Sequence, residues 1–226
     1  MTDHLTPAPG PAPGPAARPT DAAVPVPAPA PVPAPVPAPR PTTVLVVCTG
    51  NICRSPAIER LLAHALGPDA PVRVTSAGTR AVVGAAIPPP MADLVTAAGA
   101  DSTDFAARQL TAELITGADL ILVATRRHRA AVVDLVPAAV RRVFTVRALA
   151  RFITEIDLTP VHAAPWPERV PTLVTAAAAR RGQTRTHPAD DDVIDPYGAD
   201  DATYRLSFAQ LAPAVSTIAG ALRGPA

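Results

Sequence analysis

The chain has 226 residues, of which 48% are hydrophobic, and its formal net charge at neutral pH is +1. This charge excludes a protein that binds polyanions through a general excess of positive charge, and the presence of only two cysteines, Cys48 and Cys53, excludes a disulfide-stapled scaffold. The sequence has no run of about 18 apolar residues that would span a membrane and no basic, apolar leader, so we expect a soluble, cytoplasmic protein.

Prolines mark off the first part of the chain. Residues 1–41 contain 15 of the 30 prolines, mostly alternating with alanine or valine. Such a sequence lacks backbone donors and favours polyproline II, so it cannot form a core. We predict that residues 1–41 are a disordered tail, with a ligand for a partner's proline-binding groove as the alternative. Residues 42–226 then form the folded domain, in which residues 159–192 are an insertion.

Strands and helices are predicted to alternate along residues 42–226. The predicted strands are residues 42–48, 72–78, 119–125 and 141–146. The predicted helices are residues 56–66, 91–98, 111–117 and 127–136, one that ends near residue 156, one inside the insertion, and a last one from residue 200 or 201. We expect Ser55 and Thr111 to cap their helices, Gly67 to end the first one, and Pro213 to kink the last. The alternation predicts an α/β fold, with a parallel sheet between two layers of helices.

The first predicted strand is joined to the first helix by a segment that we call the cysteine loop, Cys48-Thr49-Gly50-Asn51-Ile52-Cys53-Arg54-Ser55. Backbone N–H groups converge at such a junction and favour an anion, and Gly50 and Asn51 tolerate left-handed backbone. Cys48 as a thiolate is a candidate nucleophile, and the planar fork of Arg54 fits two phosphate oxygens. With a hydroxyl from Ser55 to the thiolate, these groups predict phosphoryl transfer through a phosphocysteine.

A second element of the chemistry is expected just before the last helix, at Asp195-Pro196-Tyr197. A poor leaving group, such as an alkoxide or a phenoxide, must be protonated as it departs. Asp195 is the candidate general acid, in a turn whose backbone Pro196 restricts.

These motifs carry a resemblance to a known family. C-x5-R-S at residues 48–55, SAGT at residues 76–79 and DPY at residues 195–197 resemble the low-molecular-weight protein tyrosine phosphatases, over about residues 43–223. The resemblance implies a flavodoxin-like sheet of four parallel strands in the order 2-1-3-4, with the site beyond the first strand.

The same resemblance implies roles for individual residues and a reaction without a metal or cofactor. Cys48 would attack the phosphate of a phosphotyrosine protein, Arg54 would bind it, and Asp195 would protonate the leaving oxygen and then activate water. The family's phosphate loop and its support correspond to these residues here: Thr49, Gly50, Asn51, Ile52, Cys53, Ser55 and Ser76. Tyr197 would form an aromatic wall of the substrate pocket.

The sequence departs from the family's pattern at the pocket and behind the loop. Residues 80–84 contain no aromatic ring, and Gly198 follows Tyr197 where a second ring is common, so we expect a pocket with one aromatic wall. Phe105 stands where relatives often carry a histidine, and we therefore expect the support of Asn51 by Ser76 to be rearranged.

Several alternatives remain open. Ile52 favours an aryl phosphate, whereas Thr49 resembles the arginine phosphatases of the same scaffold. An arsenate reductase coupled to a low-molecular-weight thiol is a further alternative, and a phosphoprotein-binding module without catalysis is the weakest. Cys53 is either a redox partner of Cys48 or a small buried loop residue.

The remaining charged residues suggest no further site. All 20 basic residues are arginine, which we interpret as codon bias of a GC-rich bacterial genome, such as that of an actinobacterium. Arg126–Arg129 is expected to be a solvated helix face, and without interleaved aromatic residues we predict no nucleic-acid binding. His64, His128 and His187 lack metal-ligand spacing and are expected at the surface, and Asp190–Asp192 is expected to be a solvated turn.

Overall fold

Four parallel strands form the centre of the fold and lie in the order β2-β1-β3-β4. The computed structural model describes residues 41–183 and 187–225, together with the single positions 2, 10 and 14. The strands are β1 (Thr42–Cys48), β2 (Val72–Gly78), β3 (Leu120–Val123) and β4 (Val143–Thr145). This order confirms the predicted flavodoxin-like sheet.

Eight α-helices are present in the described part of the chain. They are α1 (Arg54–Leu66), α2 (Pro89–Ala97), α3 (Ala112–Thr116), α4 (Arg126–Leu135), α5 (Val146–Ile153), α6 (Thr159–Ala163), α7 (Trp166–Ala179) and α8 (Asp201–Arg223). Short 3₁₀ helices cover Pro137–Arg141 and Pro188–Asp191. Among these described helices, none combines the length and the apolar character that crossing a bilayer requires.

Strands β1, β3 and β4 are largely buried on both faces because they consist mainly of consecutive apolar residues, many of them β-branched. Val44 and Val46 pack with the apolar residues of α1, α5, α7 and α8 on one face. Leu45 and Val47 pack with those of α3 and α4 on the other. The helices therefore cover both faces of the sheet, as predicted.

The register of the two central strands places the cysteine loop. β1 and β2 pair from Thr42 opposite Val72 to Cys48 opposite Gly78. Cys48 is therefore the last residue of β1 and lies beside the carboxyl end of β2, where the ligands of doubly wound sheets bind.

Several helix ends follow the sequence closely. The side chains of Thr111, Thr125 and Asp200 each accept a backbone N–H from their own helix's first turn, and Gly67 ends α1 with a φ of 86°. In α8, Pro213 lies inside a helix that continues to Arg223, and the apolar residues Tyr204, Leu211, Val215, Ile218 and Leu222 face the core.

Three expectations about secondary structure were wrong in detail. Ser55 does not cap α1, because the helix begins at Arg54 and the Ser55 hydroxyl bonds to other side chains. β4 begins only at Val143, because the preceding residues form a 3₁₀ turn in which the N–H of Arg142 donates to Ala139.

The third concerns the segment 159–192, which contains two α-helices, α6 and α7, instead of one. Arg169 of α7 lies over the Trp166 ring at 4.7 Å and donates to the carbonyl oxygens of Leu222 and Arg223 at 2.9 and 2.8 Å. The segment is thereby tied to the end of α8.

The chain divides into two units, residues 1–38 and residues 39–226, and every element above belongs to the second. Apart from positions 2, 10 and 14 and Pro41, the predicted tail lies outside the described residues. The prediction that it is disordered, and that a partner binds it, therefore stays a prediction.

Candidate active site

The cysteine loop is held from outside by residues 79–82, which we call the rim segment. Three N–H groups of the rim segment donate to the carbonyl oxygens of Cys48, Thr49 and Gly50 at 2.9 to 3.0 Å. In a planar trans peptide unit the N–H points opposite to the C=O, so the N–H groups of residues 49–51 point away from the rim segment. Backbone N–H groups turned together in this way form a nest that suits an anion.

Close backbone contacts determine which residues fit here. A Cβ on Gly78 would lie 2.5 Å from the Thr49 carbonyl oxygen, so this position admits only glycine. Asn51 has a φ of 56°, the left-handed conformation expected of it. Gly50 does not adopt a positive φ; its small size matters instead, because a Cβ would lie 3.3 Å from the Ile52 side chain.

Asn51 is fully buried and fixes the loop from within. Its Nδ2 donates to Ser55 Oγ at 2.9 Å and to Ser76 Oγ at 2.7 Å. Its Oδ1 accepts the backbone N–H of Arg108 at 2.8 Å. These three bonds set the orientation of the amide. One of them is the contact between Asn51 and Ser76, which was expected to be disturbed.

The rearrangement expected from Phe105 is therefore not seen at Asn51. Phe105 is half-buried, and Arg60 lies over its ring at 5.7 Å. The acceptor of Asn51 is satisfied by main chain, the N–H of Arg108, so it needs no side chain at position 105.

Ser55 connects Asn51 to the candidate nucleophile. Ser55 Oγ lies 3.0 Å from Cys48 Sγ, and both side chains are buried. Because Ser55 Oγ accepts a hydrogen bond from Asn51, its own hydrogen can point to Sγ. A thiolate can only accept a hydrogen bond, so Ser55 is placed to donate to Cys48 in its nucleophilic form.

The second cysteine lies in a different environment. Cys53 Sγ is 3.8 Å from Tyr204 Oη, and burial, only partly offset by that contact, raises the pKa of Cys53 to about 11. Cys53 is thus a protonated thiol at neutral pH. Both cysteines are free thiols, and the contact with Tyr204 favours the buried-loop interpretation, while the redox pair stays a prediction.

A buried acid lies behind this network, which the sequence did not point to. Burial raises the pKa of Glu59 in α1 above its ordinary value, and the neighbouring Ser76 partly offsets the effect. Its Oε2 is buried without a hydrogen-bond partner among the described residues.

Arg54 brings the candidate phosphate clamp and the candidate acid together. Its guanidinium is 4% exposed, and Nη2 donates to Asp195 Oδ2 at 2.5 Å while Nη1 donates to the Val193 carbonyl oxygen at 3.3 Å. Arg54 Nε, in contrast, is buried with no hydrogen-bond partner in the described part of the chain. Because Arg54 lines the cavity, this N–H is available to donate to an anion bound there.

The acidic turn before Asp195 was expected to be solvated, but two of its side chains form ion pairs instead. Asp191 pairs with Arg151 at 2.5 Å, and Asp192 accepts from the backbone N–H and the guanidinium of Arg126 at 2.7 and 3.1 Å. These pairs anchor the turn to α4 and α5. They thereby hold Asp195 over the cysteine loop, and they also place Arg126 in an ion pair.

A cavity of about 360 Å³ opens over these residues. Its lining comprises Cys48, Thr49, Gly50, Ile52, Cys53, Arg54, Arg80, Val82, Asp195 and Tyr197. Tyr197 is 66% exposed and is the one aromatic residue in this lining, as expected, and Val82 from the rim segment joins Ile52 as an aliphatic wall. Residues 80–84 were expected at the pocket, but their lack of an aromatic ring gave no reason to single out Val82.

His128 does not lie at the surface, and this expectation was wrong. It is 5% exposed, and its Nε2 lies 2.8 Å from Thr49 Oγ1 while its Nδ1 lies 2.8 Å from Thr125 Oγ1. Burial and the charge of Arg54 lower the pKa of His128 to about 4, so the ring is neutral at physiological pH. The available signal was its place three residues after the cap Thr125, on the first turn of α4, facing the cysteine loop.

Comparison with known proteins agrees with this geometry. Residues 43–162 match the family model described as low molecular weight phosphotyrosine protein phosphatase. The chain is 43% identical over 94 residues to the low molecular weight protein-tyrosine-phosphatase Wzb of Salmonella typhi, a match that covers 42% of this chain and 61% of that protein. The chain thus spans less than two thirds of the length of that relative.

Solved structures extend the likeness beyond the family match. The crystal structure of the Erwinia amylovora tyrosine phosphatase AmsI superposes with a TM-score of 0.56 at 26% identity, over 78% of this chain and 89% of that one. The YwlE arginine phosphatase from Geobacillus stearothermophilus gives a TM-score of 0.58 at 26% identity, over 81% and 94% of the two chains.

Proposed function

Because the chain belongs to the low molecular weight phosphotyrosine protein phosphatase family, as its match over residues 43–162 shows, we propose that it hydrolyses phosphotyrosine in proteins. The observation that carries this proposal is the arrangement around one cavity of a buried Cys48, with Ser55 Oγ at 3.0 Å, and of Arg54, with one buried N–H unpartnered in the described chain. Asp195 completes the set at 2.5 Å from Arg54.

The first step transfers the phosphoryl group to sulfur. The Cys48 thiolate attacks phosphorus while the loop N–H groups and the Arg54 fork hold the non-bridging oxygens. The bond from phosphorus to the tyrosine oxygen breaks, and Asp195, in its protonated form, gives its proton to that oxygen. The products of this step are tyrosine, an Asp195 carboxylate and phosphocysteine.

The second step returns the enzyme to its starting state. The Asp195 carboxylate takes a proton from a water molecule as its oxygen attacks phosphorus. The sulfur–phosphorus bond breaks, and Cys48 leaves as a thiolate that accepts the hydrogen bond of Ser55. The hydrogen bond from Ser55 thus serves the sulfur of Cys48 both as it attacks and as it leaves.

The pocket wall favours an aryl phosphate over a phosphoarginine. Ile52, Val82 and Tyr197 give an apolar lining on which a phenyl ring can pack. The likeness to YwlE, named an arginine phosphatase, and the presence of Thr49 keep arginine phosphatase as the second candidate. An arsenate reductase would need no such wall.

Competing substrates test this assignment directly. We expect kcat/KM for a phosphotyrosine peptide to exceed that for the matched phosphoarginine peptide at least tenfold, with no arsenate-dependent oxidation of a low-molecular-weight thiol. The matched variant Ile52→Thr should reduce the ratio of kcat/KM for the phosphotyrosine peptide to that for the phosphoarginine peptide. A wild-type preference for phosphoarginine, or thiol oxidation with arsenate, would replace the proposed function by one of its alternatives.

We further propose a cytoplasmic location, a folded domain over residues 42–226 and an actinobacterial origin. The location is supported by the two free thiols, which are typical of a reducing compartment. The domain start is supported by β1, which begins at Thr42, and the origin by arginine at all 20 basic positions. A partner for the proline-rich tail also remains a proposal, supported by the composition of the tail alone.

A further inference from the structure

His128 lies below the cysteine loop at the beginning of α4. Both ring nitrogens face threonine hydroxyls, Nε2 facing Thr49 at 2.8 Å and Nδ1 facing Thr125 at 2.8 Å. Thr49 directly follows Cys48 in the chain and lines the cavity. A buried imidazole therefore touches the loop one residue away from the nucleophile.

The charges around His128 come from three sides. Arg54 of α1 and Arg127 of α4 disfavour a charged ring, whereas Asp192 and Asp195 of the acidic turn favour it. Burial exceeds all of these effects, and the ring is neutral. One nitrogen is then a donor and the other an acceptor.

The hydrogen bonds of Thr125 favour one tautomer of His128, the one that leaves no hydroxyl hydrogen unused. Thr125 Oγ1 accepts the backbone N–H of His128 at 3.3 Å, as the cap of α4. If the hydroxyl hydrogen of Thr125 points to Nδ1 of His128, then the Thr125 hydroxyl and both ring nitrogens have partners. Nε2 then carries the ring proton and donates it to Thr49 Oγ1, which leaves the Thr49 hydroxyl hydrogen for an acceptor in the cavity.

We propose that His128 is a positioning residue which, as the neutral Nε2–H tautomer, aims the Thr49 hydroxyl at an oxygen of the transferring phosphoryl group, an inference that rests on the proposed phosphatase function. Two hydrogen-bond relays then reach the cysteine loop. One runs from Asn51 through Ser55 to the sulfur. The other runs from His128 through Thr49 to the phosphate.

A double-mutant cycle tests whether His128 acts through Thr49. We expect His128→Leu and Thr49→Val each to lower kcat for p-nitrophenyl phosphate about ten- to hundredfold, the range for one hydrogen bond to a charged group. The double variant should lose no more than either single variant. His128→Gln, whose Nε2 can donate from the same place, should recover most of the loss, and His64→Leu, which replaces an exposed histidine of α1, should leave kcat unchanged.

Additive losses in this cycle would show that His128 merely supports the fold, and would overturn the proposal. Thermal melts of each variant identify one that fails to fold, and if His128→Leu does so, His128→Phe, which keeps a ring but has no donor, takes its place in the cycle. If the wild type hydrolyses no aryl phosphate, the proposed function fails, and the cycle is repeated with the affinity for inorganic phosphate as the readout.

The tautomer is a second test, independent of activity. Imidazole ¹⁵N shifts of the labelled wild-type protein should show a neutral His128 with its proton on Nε2, and the addition of phosphate should leave this state unchanged. A proton on Nδ1 would make Thr49 the donor to the ring, so its hydroxyl could not reach the phosphoryl group, and the proposal would be wrong.

Discussion

Asp195 lies directly on Arg54, with Oδ2 2.5 Å from Nη2, so the acid and the phosphate clamp form an ion pair across the cavity. The Arg54 side chain is 5% exposed and that of Asp195 52%. The carboxylate is therefore the solvent-exposed partner, and it takes up an Nη2–H group that a phosphate oxygen would otherwise accept from. Substrate must displace it, and the released carboxyl then lies beside the leaving group.

The first prediction concerns anion affinity. Asp195→Asn removes the negative charge that competes for Arg54, so we expect inorganic phosphate to bind several-fold more tightly to the variant. Competitive inhibition or calorimetry measures the dissociation constant. Weaker binding in the variant would mean that Asp195 does not compete with the anion.

The same variant makes a second prediction, about leaving groups. Without a proton donor, aryl phosphates with poor leaving groups should slow by a much larger factor than those with good ones. A series of substituted phenyl phosphates gives the dependence of kcat/KM on the pKa of the leaving phenol. An equal loss across the series would remove Asp195 as the general acid.

The third prediction concerns the contact between Gly78 and the cysteine loop. A Cβ at this position would lie 2.5 Å from the Thr49 carbonyl oxygen, so Gly78→Ala should destabilise the fold by about 1–3 kcal/mol and lower kcat by distorting the loop. Gly220→Ala is the matched control, because a Cβ there meets nothing within 4 Å and alanine should stabilise α8 by up to about 1 kcal/mol. Urea unfolding measures both. Equal stability of the two variants would contradict the close packing.

Much of this site could be predicted because it is local in the sequence. The run Thr42–Cys48 is apolar and β-branched, and the loop that follows carries its own chemistry. The place of His128 and the pairing of Asp192 with Arg126 could not be predicted, since they depend on which distant segments the fold brings together. For Ser55 the expected contact with the Cys48 sulfur is present, whereas the expected helix cap is not, because one hydroxyl suits either role and the sequence alone does not separate them.

The fourth prediction is a pH dependence of stability. The pKa of His128 is about 4 in the folded protein, against an ordinary value of 6.5. Between these two pH values the unfolded chain binds a proton that the folded chain does not, so stability falls as the pH decreases from about 6.5 to about 4. The loss should reach about 3 kcal/mol, and it should be absent in His128→Gln. Urea unfolding of both proteins between pH 4 and 6.5 measures the free energy of unfolding. If it varies with pH in parallel for the two proteins, His128 is not neutral in the folded state.

The central claim is that Cys48 carries the phosphoryl group. A rapid-mixing experiment with p-nitrophenyl phosphate under reducing conditions, quenched in acid and analysed by peptide mass spectrometry, tests it most directly. We predict a burst of nitrophenol close to the enzyme concentration, and one phosphoryl group on the peptide that contains Cys48. Cys48→Ser should show no burst yet still bind phosphate. Turnover by Cys48→Ser, or hydrolysis by the wild type without a burst and without a phosphorylated peptide, would contradict the phosphocysteine mechanism.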